Sequence, residues 1–90
     1  MIDPTQSRDK CIWNLWQMAE KCSGKPVEHR RVRLPDGSIA VQVGLPEMAT
    51  PESHYARNRA VTAYAGVLGM SLVDSFHMSD DPTVCWRVYA

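Results

Sequence analysis

The 90-residue chain has little of what recognisable reaction centres are built from. It holds three cysteines, three histidines, five glycines and one phenylalanine, and its formal net charge is zero. Cys11, Cys22 and Cys85 form no CxxC pair and have no histidine at ligand spacing, so neither a zinc site nor a redox pair is expected. Cys11 and Cys22 fall on one predicted helix, about 16 Å apart along its axis, and cannot bridge. All three read as reduced core residues, because free cysteine packs as a small hydrophobe. The glycines are scattered, which excludes a phosphate-cradling loop and a nucleophile elbow. His29, His54 and His77 fit no metal template, and Glu52 and His54, two apart at a helix start, point different ways. No catalytic residue, metal or cofactor is therefore expected, and the chain reads as a non-enzyme.

Long apolar runs are also missing. No segment approaches the roughly 18–20 residues of a membrane span. Met1-Ile2-Asp3-Pro4-Thr5 lacks the basic start and apolar stretch of a signal peptide, so the expectation is a cytoplasmic chain with no membrane partner. What is present is ordinary globular composition, 44% hydrophobic and 22% charged. A chain this short builds one core, hence a single domain over 1–90. Residues 1–45 carry seven Lys and Arg against five Asp and Glu, and residues 46–90 carry three against five. The imbalance is too mild to draw the whole molecule to nucleic acid, although a local basic patch stands out below.

Asp3-Pro4-Thr5-Gln6 has a capping residue, a proline at the first helical position and Gln where a capping box wants it. The helix that follows runs to about Cys22 and buries Cys11, Ile12, Leu15, Met18, Ala19 and Cys22. Val27–Leu34 and Ile39–Leu45 alternate around Pro35-Asp36-Gly37-Ser38 as a hairpin. Placing Val32 and Leu34 in the core beside Ile39, Val41 and Val43 requires Leu34 opposite Ile39, whereas a three-residue bulged loop would turn one strand's apolar side to water. Thr50-Pro51-Glu52 starts a second helix ending near Leu68, with Ala56, Ala60, Ala63, Tyr64, Val67 and Leu68 as its expected buried arc. A second hairpin, Met70–Met78 and Thr83–Tyr89, should point Leu72, Phe76, Val84, Trp86 and Val88 inward. The order is αββαββ. Its simplest assembly is a two-layer α+β fold, a four-stranded antiparallel sheet with two helices on one face.

Certain residues do not fit a plain amphipathic plan. Asp74 shares parity with Leu72 and Phe76, and Arg57 falls inside the apolar arc of the second helix. Either the two pair, or a bulge turns Asp74 outward. In the run Glu28-His29-Arg30-Arg31-Val32-Arg33, alternation sets His29, Arg31 and Arg33 opposite Val32, on the helix-free face with Gln42 and Ala40. Such a face discourages edge pairing, and it also suits an acidic partner. Single-stranded nucleic acid would want stacking aromatics there, and only Tyr89 has the parity, so nucleic acid ranks second to protein. Trp13 lies about 150° from the centre of its helix's apolar arc, with Trp16 on the near flank, where an exposed anchor for a partner or a homodimer would sit.

These features together lead to the expectation of a stand-alone, non-enzymatic protein that occupies a protein partner's surface. Trp13, Trp16, His29, Arg31, Arg33 and Gln42 are its candidate contacts. Compact chains without catalytic signatures are common among phage and mobile-element regulators and inhibitors, including inhibitors of host defence, which is an analogy of size and not of residues. A nucleic-acid module using the basic strand is the alternative, and a small enzyme of unknown reaction ranks third.

Overall fold

Proline, a capping hydroxyl and glycine delimit the helices. In the computed structural model, which describes residues 4–90 and side chains from residue 8 onward, α1 spans Pro4–Ser23 and α2 spans Pro51–Val67. The cap assigned to Asp3 and the Gln6 side chain lie outside the described residues. The Thr50 side chain accepts from the Ser53 amide at 3.1 Å and Pro51 follows it, as the local sequence demands. At the far end Gly69 takes φ +78° while the Met70 amide donates to the Ala65 carbonyl at 2.8 Å, closing the helix with a Schellman-type bond.

Four strands, β1 (Glu28–Arg33), β2 (Ile39–Leu45), β3 (Leu72–Met78) and β4 (Asp81–Tyr89), form one antiparallel sheet in the order β1-β2-β4-β3. Both helices cover one face. The core between the layers is made by Ile12, Leu15 and Ala19 of α1, Val61 and Ala65 of α2, and Val41, Val43, Leu45, Cys85 and Tyr89 of the central strands. The chain is thus the two-layer αββαββ α+β fold that its pattern implies. Among the described residues no helix is long and apolar enough to cross a membrane. The cysteines are free, with Cys85 buried and Cys11 and Cys22 half-buried.

The faces differ from expectation at three places. First, the β1–β2 hairpin closes through Pro35-Asp36-Gly37, with Gly37 donating to Leu34 and Leu34 donating to Ser38, both at 2.9 Å, and Gly37 at φ +89°. This three-residue bulged loop pairs Arg33 with Ile39, one residue off the expected register. His29, Arg31 and Arg33 therefore sit opposite Val43, Val41 and Ile39 on the helix side, and Val32 turns to the helix-free side with Gln42 and Ala40. The Asp36 carboxylate, accepting from the Ser38 hydroxyl and amide, rigidifies the turn, and those bonds hold its pKa below the usual range.

Second, β2 pairs Val41 with Tyr89, Val43 with Arg87 and Leu45 with Cys85, so the odd-numbered residues of β4 face the helices. Phe76, Val84, Trp86 and Val88 lie on the helix-free face instead of inward, and Tyr89, expected on that open face, is fully buried with its hydroxyl 2.9 Å from Thr62 Oγ1. The physical reason is that central strands with apolar residues at both parities satisfy either orientation by alternation alone.

Third, α2 is rotated. Ala56, Ala60, Ala63 and Val67 are exposed, and Arg57, Asn58, Val61 and Ala65 face inward. Alanine is small enough to sit in water at little cost, so its stripe does not define a buried face. Arg57 and Asp74 do not pair. An extra residue, Val73, is inserted between the Leu72–Tyr89 and Asp74–Val88 pairs, and this bulge turns Asp74 outward, where it accepts from the Ser75 amide.

Candidate functional site

On α1, Asp9, Trp13, Trp16 and Glu20 recur at helical spacing and form the flank that meets β1. Val27 fixes that meeting, because its carbonyl accepts from Trp16 Nε1 at 2.8 Å and its amide donates to Glu20 Oε2 at 2.9 Å. The strand that follows is held beside the helix. His29 stacks on Trp16 with ring centroids 4.3 Å apart, Trp13 meets Trp16 edge-on at 5.1 Å, and Arg31 Nη1 donates to Asp9 Oδ1 at 2.6 Å. Trp13 remains 56% exposed, and Arg33 is exposed on the same side.

Five of the six candidate residues are thereby brought to one edge of the molecule, where the tryptophans and the basic strand form one surface rather than two. Gln42 is separated from them. It lies on the opposite face of the sheet, 7% exposed, between Arg30 and Val88. The Arg31–Asp9 pair is the one ion pair among the described residues, and with both partners about half exposed it contributes at most about 1 kcal/mol. Its geometric effect is to tie β1 to the α1 flank that carries Trp13, with Arg33 exposed two residues further along the strand.

Two further features escaped sequence reasoning. The helix-free sheet face is apolar where a solvated one would be polar. Trp86 lies across Gly44, where an added Cβ would stand 2.9 Å from the indole, and the Arg30 guanidinium covers that ring 5.4 Å from its centroid. Val32, Leu34, Val73, Phe76 and Val88 line a shallow groove on the same face, and Val73 is 51% exposed. Strand alternation carries the signal for this face, but alternation alone does not say which side the helices cover.

The second feature is polar. Arg57, 3% exposed, donates from Nε to Asn58 Oδ1 at 2.8 Å and from Nη1 to Ser23 Oγ at 3.0 Å, while Nη2 lies 3.2 Å from His54 Nδ1. Asn58 Nδ2 lies 3.3 Å from the other ring nitrogen, Nε2. Guanidinium and amide nitrogens only donate, so a protonated imidazole, which donates from both nitrogens, is disfavoured here, and the neutral ring accepts at one of the two. Burial is the main cause that lowers the His54 pKa, and Arg57, His77 and Arg87 add to it against the opposing Glu47. Burial likewise lowers the Arg57 pKa. Beside this cluster, α2 parts from β3 and β4 to leave a groove lined by His54, Asn58, Thr62, Ser75, His77 and Arg87. The chain matches no family model, no curated protein and no solved structure with which it has been compared.

Proposed function

We propose that this chain is a non-enzymatic binding protein that acts by occupying the surface of an acidic protein partner, in the manner of small regulators and inhibitors. The observation that carries the reading is the 56% exposed Trp13 set edge-on against the Trp16–His29 stack beside Arg31 and Arg33. A tryptophan there stands outside the buried core of its own chain, which it meets through the edge of Trp16, yet it can bury about 150–250 Å² against a partner. Tryptophan and arginine are the residues most enriched at binding hot spots. The flanking basic side chains select an acidic surface and guide its approach.

The test is capture of the partner, its purification, and titration against wild-type protein, Trp13→Ala and Arg33→Glu. Each variant should weaken binding by about tenfold or more while stability stays within about 0.5 kcal/mol of wild type. Unchanged affinity, or a Trp13→Ala protein that melts early, would remove this surface from consideration. Affinity that collapses between low and moderate salt toward a nucleic acid would favour the alternative class.

A second reading, self-association through the helix-free face, is favoured by one observation. Across that face the strand register places Arg30, Gln42, Val88 and Asp74 in one row. A second copy turned about an axis parallel to the strands would set Arg30 over the partner's Asp74 and close the apolar residues between them.

A further inference from the structure

We propose that the groove between α2 and the β3–β4 hairpin is a binding site for a small organic phosphate. Its walls are built by periodicity. His54, Asn58 and Thr62 follow one another every fourth residue on α2, while Ser75 and His77 on β3 and Cys85 and Arg87 on β4 alternate onto the same side of the sheet. At about 790 Å³ the groove falls within the range of small-ligand sites.

Its charge is one-sided. Arg59 and Arg87 line it beside the imidazoles of His54 and His77, no aspartate or glutamate does, and the buried Arg57 stands behind it with neutral partners only. Glu47 lies beyond His54, in the adjoining recess. Arg87 is the sharpest indication. Its one side-chain hydrogen bond among the described residues is a long one, 3.4 Å from Nη2 to Thr62 Oγ1, and its Nε is buried with no acceptor. A buried, unsatisfied guanidinium donor is costly and rare, and an oxyanion in the groove would neutralise the fork beside it.

The donor set distinguishes among anions. Arg87, Arg59, Asn58 and Ser75 offer more N–H and O–H groups than the two oxygens of a carboxylate can use, whereas a phosphate monoester presents three. His77 Nδ1 lies 3.0 Å from the Val84 carbonyl and so carries its proton there, leaving Nε2 as the free nitrogen. Tyr55, 65% exposed and edge-on to His54 at 5.7 Å, stands at the rim as a flat surface for the organic portion.

The probes are inorganic phosphate, adenosine monophosphate and acetate, each titrated into isotope-labelled protein at constant ionic strength and followed by amide chemical shifts. The expected result is saturable shifts centred on Thr62, Ser75, His77 and Arg87. Adenosine monophosphate should saturate below inorganic phosphate, and acetate should do so weakly. Arg87→Gln should raise the dissociation constant by about tenfold or more. Arg59→Gln, an exposed change on α2, should raise it by a smaller factor and decides the matter if Arg87→Gln folds poorly. No saturation up to about 10 mM, acetate binding as tightly as either phosphate, or shifts gathered on Arg31 and Arg33 would each overturn the assignment.

Discussion

His54 is a histidine whose neutral form is built into the fold. A donor stands at each of its ring nitrogens, Arg57 Nη2 at Nδ1 and Asn58 Nδ2 at Nε2, and the charged or titratable groups that face it are Arg57 on its own helix, His77 on β3, Arg87 on β4 and the opposing Glu47. Burial first, and then these cations, hold its pKa below the ordinary value of about 6.5. In the unfolded chain the same imidazole takes up its proton near that value, so below it the unfolded state binds more protons than the folded one. Stability should therefore fall as the pH drops from about 6.5 toward the folded-state pKa, and the slope should vanish once both states are protonated. Urea melts across this window should show the loss in wild type and a smaller pH dependence in His54→Gln. Equal slopes in the two proteins would mean that His54 does not titrate differently on folding.

At the scale of elements, the contact between β2 and β4 depends on an absent side chain. Trp86 lies over Gly44, and a Cβ at that position would be 2.9 Å from Cη2 and 3.0 Å from its neighbours in the ring. The indole is a rigid plane, 7% exposed and with the Arg30 guanidinium over its ring, so it cannot yield as a flexible tip would. Gly44→Ala should cost about 1–3 kcal/mol in a denaturant melt, and the cost should shrink in a Trp86→Leu background because the two positions share one contact. Additive effects would show that the indole moves aside freely.

The elements themselves were legible. Thr50-Pro51, Gly69 and the αββαββ order follow from capping chemistry and periodicity, which act within a few residues. The faces were not, because a face is decided by pairing. One residue of loop length between Leu34 and Ser38 moved Arg31 and Arg33 to the helix side, and the apolar residues of β4 at both parities left Trp86 and Tyr89 interchangeable until β2 chose between them. The candidate contacts were legible in part for the same reason. Trp13 follows from helical angle alone, while its neighbourhood with His29 and Arg31 depends on the register. The groove was hidden because a polar stripe on α2 means little until Ser75, His77 and Arg87 are known to oppose it.

For the whole molecule, the consequence is a sheet with apolar residues on both sides and helices on only one. Trp86 and Val88 are nearly covered by their own neighbours, but Val73, Phe76, Val32 and Leu34 are not. A sheet of this kind gains by meeting a second surface, and the row that carries Arg30 at one edge and Asp74 at the other is complementary to itself. Sedimentation at increasing concentration should reveal a dimer whose dissociation constant rises in Arg30→Asp and in Asp74→Arg, since each single change sets like charges against each other across the axis. The double variant restores opposite charges in the reversed order and should recover most of the association. Arg30 also shields Trp86, so Arg30→Asp alone could weaken a dimer by exposing the indole, and recovery in the double variant separates the two causes. A monomer at every concentration, or a double variant no better than Arg30→Asp, would show that the helix-free face does not pair with itself through this row.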